Sequence, residues 1–117
     1  MNIEDFIAEV HNASRKFFFI RRIELVDATN NTAKLRLEVG GDCFIQIYAN
    51  LERTLINFVV VFNRRRIYGR DCNGGIWHRH SYEAPDEHDF SPEGRKKVSI
   101  EEFLRETQES LERSELL

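Results

Sequence analysis

Hydrophobic residues recur every three or four positions at both ends of the chain, which is the spacing of one face of an α-helix. Near the start, Ile3, Phe6, Ile7 and Val10 form such a stripe directly after Asn2. Asn2 can cap this helix, and the pattern fades between residues 12 and 15. We therefore predict a short N-terminal helix.

The C-terminal stripe is the stronger signal. Ser99 and Glu102 have the spacing of a capping box, in which each side chain accepts a hydrogen bond from the backbone N–H of the other residue. The outer positions of the following helix are mostly glutamates. Its buried face is predicted to consist of Ile100, Phe103, Leu104, Thr107 and Leu111.

Between these helices, hydrophobic and polar residues alternate one by one, which is the period of a β-strand. Asn73-Gly74-Gly75 is typical of a hairpin turn, and the other turns are also too short for a crossover helix. We therefore predict one α+β domain, in which an antiparallel meander of five or six strands lies between the two helices. The strands are expected within Lys16–Ala28 and at Lys34–Val39, Cys43–Tyr48, Thr54–Phe62, Arg66–Cys72 and Ile76–His80.

Length and composition restrict the class of protein. The 117 residues, with a formal net charge of −3, support one core rather than two. No apolar run approaches the ~20 residues of a membrane helix, and the residues after Met1 are acidic, so neither a membrane segment nor a secretory leader is predicted. The expectation is a cytoplasmic protein in which Cys43 and Cys72 are reduced thiols.

The net charge conceals a basic segment. Between residues 53 and 80, six arginines stand against one aspartate, a local balance of +5. Guanidinium groups bind phosphate, and Tyr68 and Trp77 offer aromatic faces on which bases of single-stranded RNA can stack. Arg64–Arg66 has a plain alternative as a solvated hairpin tip. Arg70 and Arg79 fall inside predicted strands, which favours a site or a buried ion pair.

Three of the four histidines, His78, His80 and His88, fall within eleven residues. Alternation places His78 and His80 on one face of their strand, and Tyr68 and Arg70 on one face of the neighbouring strand. An HxH pair with a third histidine can bind zinc, manganese or nickel. Without a metal, histidine can transfer protons while arginine stabilises the transition state of phosphodiester cleavage. A third interpretation is structural, with the histidines paired to acidic loop residues.

The stretch Ile67–Arg95, followed by the sequence KKVSIEEFL, resembles the TumE-like family of small prokaryotic proteins. In that family a strand with Arg and Asp precedes a loop with His and Pro and then a C-terminal helix. Members are regarded as toxins of two-gene toxin–antitoxin modules, so the resemblance implies a helix-turn-helix antitoxin as partner. The resemblance covers the second half of the chain through these motifs and the first half only through the order of its predicted elements. The matching residues are Arg70, Asp71, His80, Pro85 and His88.

The combined expectation is a toxin that acts on RNA as a small ribonuclease without a cofactor, with His80 as general acid or base. A homodimer is compatible with this expectation. The alternatives are a non-catalytic module, which binds protein or nucleic acid on a sheet face that the helices leave open, and a metal-dependent hydrolase that uses the three clustered histidines. The expected catalytic residues are Arg70, His78, His80 and His88, and the expected nucleic-acid contacts are Arg64, Arg65, Arg66, Tyr68, Trp77, Arg79 and Arg95.

Overall fold

The computed structural model describes all of residues 1–117 and contains two helices and six strands. In chain order the elements are α1 (Ile3–Ser14), β1 (Arg22–Ala28), β2 (Thr32–Gly40), β3 (Cys43–Asn50), β4 (Leu55–Phe62), β5 (Arg65–Asn73), β6 (Ile76–His80) and α2 (Ile100–Arg113). Each strand pairs antiparallel with the next along the chain, so that one sheet has the order β1 to β6. The predicted α+β fold with an antiparallel meander is confirmed.

Both predicted helix caps are present. The side chain of Asn2 accepts a hydrogen bond from the Asp5 N–H at 2.8 Å, and that of Ser99 accepts one from the Glu102 N–H at 3.1 Å. In each box the acidic side chain also accepts from the N–H of the capping residue. These bonds satisfy backbone donors that a helix start leaves without partners. Neither helix is long and apolar enough to cross a membrane.

One face of the sheet carries the whole core. Leu35, Ile45 and Val60 are completely buried between the strands and both helices. Cys43 and Cys72 are free thiols in the same core, as expected. Alternate residues along β2 and β3 are only half-buried, because no helix packs over the opposite side of the sheet. We call this opposite side the open face.

The expected strand within Lys16–Ala28 begins later than predicted, at Arg22. The segment before it turns instead, with the N–H groups of Lys16 and Phe17 bonded to carbonyls three residues earlier. Phe17 and Phe19 point into the core while Phe18 is exposed. In the sequence these three consecutive phenylalanines resemble part of a buried strand, whereas in the structure they belong to a turn that leaves α1.

The segment between β6 and α2 wraps around the outer edge of β6. Asp89 and Arg79 exchange two backbone hydrogen bonds, of 2.8 and 3.1 Å, which attach the segment to that edge. Before this point the carbonyl of Pro85 lies on the open face, and after it the carbonyl of Glu93 lies on the helix side. The wrap depends on Gly94, where an added Cβ would lie 2.1 Å from the Asp89 carbonyl oxygen.

Replacing Gly94 with alanine should therefore lower the free energy of unfolding by about 1–3 kcal/mol, because the backbone itself must move to admit the methyl group. Chemical denaturation of the purified variant measures this loss. Gly41→Ala is the matched control, since its φ of +59° disfavours alanine but no atom lies within 4 Å of the new Cβ. Equal stability of Gly94→Ala and the wild type would show that the wrap is not tightly packed.

Candidate functional site

The turn between β5 and β6 decides which side chains share a face. Its two glycines have φ values of +60° and +87°, the left-handed backbone that a two-residue hairpin turn of type I′ requires. Counting outward from the turn, Asp71 pairs with His78, and Arg70 pairs with Arg79. The first pair lies on the open face and the second on the helix side of the sheet.

Arg70 forms a buried ion pair beneath α2. Its completely buried guanidinium donates to both carboxylate oxygens of Glu106 at 2.9 Å and to the backbone carbonyl of Glu93 at 2.7 Å. The Tyr68 hydroxyl donates to the same carboxylate at 2.6 Å, and burial together with this carboxylate raises the pKa of Tyr68. The sheet separates Arg70 from the histidines, so it cannot touch a substrate that is bound to them.

Three of the expected nucleic-acid contacts also lie on the helix side. Trp77 is 7% exposed and packs against Phe58, with ring centroids 6.2 Å apart. Tyr68 is buried, and the guanidinium of Arg79 pairs with Asp89 at 2.7 Å. The structure therefore does not bring Tyr68, Trp77 and Arg79 to the histidines, and the two aromatic rings are not accessible for base stacking.

On the open face, Asp71 of β5, His78 and His80 of β6, and His88 from the following segment converge. We call these four residues the histidine–aspartate cluster. Nε2 of His78 lies 3.2 Å from Nε2 of His80, and Oδ2 of Asp71 lies 3.3 and 3.4 Å from these two nitrogens. One ring nitrogen from each of the three histidines lies within 4.8 Å of the others. The structure thus brings the three selected histidines together and adds Asp71.

The ring of His80 is held in one orientation. It is 2% exposed, and its Nδ1 lies 2.9 Å from the carbonyl oxygen of Pro85. Because a carbonyl only accepts hydrogen bonds, Nδ1 carries the proton and Nε2 presents a lone pair to the cluster. Burial lowers the pKa of His78 and His80, which favours the neutral imidazoles.

The carboxylate of Asp71 has no lysine or arginine partner. The side chain is 14% exposed, and its only charged or chargeable neighbours at ion-pair distance are His78 and His80. Its Oδ1 atom is buried without a hydrogen-bond partner. A carboxylate in this state destabilises a protein unless a cation compensates its charge.

A β-bulge brings Arg66 to the same face. Simple alternation would place Arg66 on the side of Tyr68, but a register shift inserts Ile67 as an extra residue, and Arg66 pairs with Val61. One guanidinium nitrogen of Arg66 lies 2.9 and 3.2 Å from the two ring nitrogens of His80. Two in-plane bonds from one donor to both ring nitrogens are geometrically excluded, so the guanidinium covers the face of the ring.

An arginine-lined groove of about 530 Å³ adjoins the cluster. Its three arginines form no ion pair, in contrast to Arg70 and Arg79. Arg64 lies in the tight turn before β5 with a φ of +67°, a strained value for a residue other than glycine. The neighbouring Asn63 has a φ of +50°, so both residues adopt the backbone that a two-residue hairpin turn of type I′ requires. The groove is lined by Arg64, Arg65, Arg66, Ile67, Pro85 and Asp86.

On another side of the cluster lie an exposed aromatic ring and a further arginine. The ring centroid of Phe90 is 5.3 Å from that of His78, and Phe90 is 46% exposed. The guanidinium carbon of Arg95, which also lacks an ion pair, is 5.9 Å from the centre of the Phe90 ring. Phe90 was not a sequence candidate, because one aromatic residue in a charged loop belongs to no periodic pattern.

No protein-family model, curated protein or solved structure matches this chain. The side chains of the open face must therefore indicate the function. Asp71 is the one residue of the cluster that was not among the expected site residues. Its position was available from the sequence, since counting outward from a two-residue turn at the glycines places Asp71 directly opposite His78.

Proposed function

We propose that this protein cleaves RNA at the histidine–aspartate cluster on the open face. The observation that carries the proposal is the convergence of three imidazoles and one carboxylate beside a groove of unpaired arginines. The arginines supply the charge that attracts a polyphosphate chain, although the net charge of the protein is −3. The cluster supplies the polar groups that act on one phosphodiester.

The composition of the cluster favours RNA as the substrate. It contains no serine or cysteine nucleophile, so the attacking group must come from the substrate or from water. In RNA the 2′-hydroxyl attacks the neighbouring phosphorus, the P–O5′ bond breaks, and one proton passes from O2′ to the leaving O5′. The products are a 2′,3′-cyclic phosphate and a 5′-hydroxyl, and no co-reactant is consumed.

The open face offers binding positions on two sides of the cleavage point. Arg64, Arg65 and Arg66 can bind phosphates on one side, since guanidinium groups match phosphate oxygens in pairs. Phe90 and Arg95 lie on another side, where an exposed ring can stack on an unpaired base. Bases must be unstacked to make such contacts, which favours single-stranded RNA.

We further propose that the protein is the toxin of a toxin–antitoxin pair and acts on cytoplasmic RNA. The support is the resemblance of Ile67–Arg95 and the following KKVSIEEFL to the TumE-like family. His80, Pro85 and His88, which carry part of that resemblance, contact one another around the cluster. The proposed partner is a helix-turn-helix antitoxin encoded by a neighbouring gene.

Expression of this gene without its neighbour is expected to arrest growth and fragment cellular RNA, and co-expression of the neighbour should restore growth. His88→Ala should abolish both effects, because His88 is an exposed member of the cluster that can be truncated without disturbing the core. His11→Ala, which removes the one histidine outside the cluster, is the matched control and should remain toxic. Growth and RNA integrity are measured after induction.

The outcomes separate the alternatives. Normal growth and intact RNA without the neighbouring gene would contradict the toxin proposal. If the purified protein binds RNA but leaves it intact, the arginine groove belongs to a non-catalytic binding module. Cleavage of RNA that is unaffected by His88→Ala would place the active site elsewhere.

A further inference from the structure

We infer that the histidine–aspartate cluster is a tetrahedral binding site for a divalent transition-metal ion, with zinc as the best fit, and that Asp71, His78 and His80 are three of its ligands. The fourth position falls to His88 or to the substrate. The inference deepens the proposed function by naming a cofactor of the same site. A role of the metal in cleavage rests on the proposed function. Binding of the metal does not depend on whether the protein cleaves RNA.

The separations of the three ligand atoms match a tetrahedron around zinc. Zinc binds histidine nitrogen and carboxylate oxygen at about 2.0–2.2 Å, and the edge of a tetrahedron is about 1.6 times that length, roughly 3.3 Å. The three observed separations within the cluster are 3.2, 3.3 and 3.4 Å. Hydrogen-bonded nitrogen and oxygen atoms are spaced similarly, so the lone pairs and the charge of the cluster distinguish a metal site from a hydrogen-bond network.

The lone pairs of the cluster favour a cation between them. His80 is protonated at Nδ1 by its bond to the Pro85 carbonyl, so Nε2 and the Asp71 oxygen are both acceptors that face each other at 3.4 Å. Two acceptors at this distance repel each other unless a proton or a metal ion lies between them. A metal ion satisfies both acceptors at once.

The same ion would compensate the charge of Asp71, whose buried Oδ1 has no hydrogen-bond partner and whose carboxylate has no lysine or arginine partner. The bond from His80 Nδ1–H to the Pro85 carbonyl is the arrangement that metal-binding histidines commonly have, since it fixes the ring and increases the basicity of Nε2. Cys43 and Cys72 lie on the other side of the sheet, so the ligands are nitrogen and oxygen only.

His88 supplies the remaining ligand from an exposed position. It is exposed, and its ring nitrogen lies within 4.8 Å of the other two, somewhat farther than a tetrahedral edge. A small rotation brings it to the fourth corner, and a phosphate oxygen of the substrate can take that corner while His88 stays beside the reacting atoms. Arg66, which covers the face of His80, then lies beside the same phosphate.

The test uses the full chain without an affinity tag, stripped of metal by a chelator and titrated with Zn²⁺ in competition with a chromogenic chelator. About one ion per chain should bind, and Co²⁺ should give the intense visible absorption of four-coordinate cobalt with nitrogen and oxygen ligands. His78→Ala should weaken binding by about 100-fold or more, since even the loss of an outer-shell contact weakens metal sites about 10–100-fold. His88→Ala, whose side chain is exposed, should weaken binding without affecting the melting temperature of the metal-free protein.

His11→Ala is the matched control and should bind zinc as the wild type does. Wild-type affinity in His78→Ala, or no binding to the wild type, would overturn the inference. If zinc binds as expected but RNA stays intact, the result supports the metal site and contradicts the proposed function. If the chelated protein cleaves RNA at the full rate, the result supports the proposed function and contradicts a role of the metal in cleavage.

Discussion

Replacing Arg70 with methionine is expected to lower the free energy of unfolding by about 2–4 kcal/mol, because the carboxylate of Glu106 on α2 and the carbonyl of Glu93 would lose the guanidinium that binds them. Methionine keeps the apolar stem of the side chain, so the loss reports the ion pair and its hydrogen bonds. Urea denaturation followed by circular dichroism measures the change. Arg53→Met, at an exposed arginine without an ion pair, should change stability by less than about 0.5 kcal/mol.

A second variant distinguishes a structural role from a role in chemistry. Replacing Arg70 and Glu106 together with methionine removes both charges and should recover a large part of the stability, because buried pairs can often be exchanged for apolar residues. A stable Arg70→Met protein that has lost RNA cleavage would contradict this interpretation. It would mean that Arg70 reaches the substrate after a rearrangement of the sheet.

Asp71→Asn is expected to reduce RNA cleavage by about 100-fold or more and, in the metal-free protein, to leave stability unchanged or raise it by about 1 kcal/mol. The activity falls because a charged ligand of the metal is lost. The stability holds or rises because a buried carboxylate without a cation disappears, and the new amide can donate to the lone pair on His80 Nε2. Opposite changes in activity and stability are typical of residues retained for function.

Steady-state cleavage of a fluorescent RNA and denaturation of the chelated protein provide the two measurements. Asp27→Asn is the matched control, since Asp27 is exposed and lies on β1, at the edge of the sheet opposite the cluster. A marked loss of stability in Asp71→Asn would indicate that the carboxylate forms ion pairs with protonated histidines. In that case the cluster would be a structural network and the metal assignment would fail.

The sequence predicted the elements well because their signals are local. A helix cap needs residues three positions apart, as in Ser99 and Glu102, and a strand needs only alternation. The main wrong boundary, at Lys16–Arg21, has the same cause, because a run of consecutive apolar residues fits a turn packed into the core as well as a strand. The confirmed fold class follows from the order of these elements and the shortness of the turns between them.

The sequence predicted those residues of the candidate site that lie close together in the chain. His78, His80 and His88 lie close together in the chain and also in space. Arg70 and Trp77 are equally close in the chain, yet they lie on the other side of the sheet, because adjacent strand residues point in opposite directions. Alternation separates these two groups, but it does not say which of the two faces a helix will cover.

The amino-acid sequence by itself determined the α+β meander, the helix caps and the residues from which a site can be built. Only the tertiary structure decided which of them meet. Packing of α1 and α2 on one face buried Arg70 against Glu106 and left the histidines on the face without helices. The bulge at Ile67, for which the sequence has no signal, moved Arg66 across the sheet to His80. The face that is covered and the position of a bulge depend on contacts between residues far apart in the chain, whereas hydrophobic periodicity records only the neighbours of each residue along it.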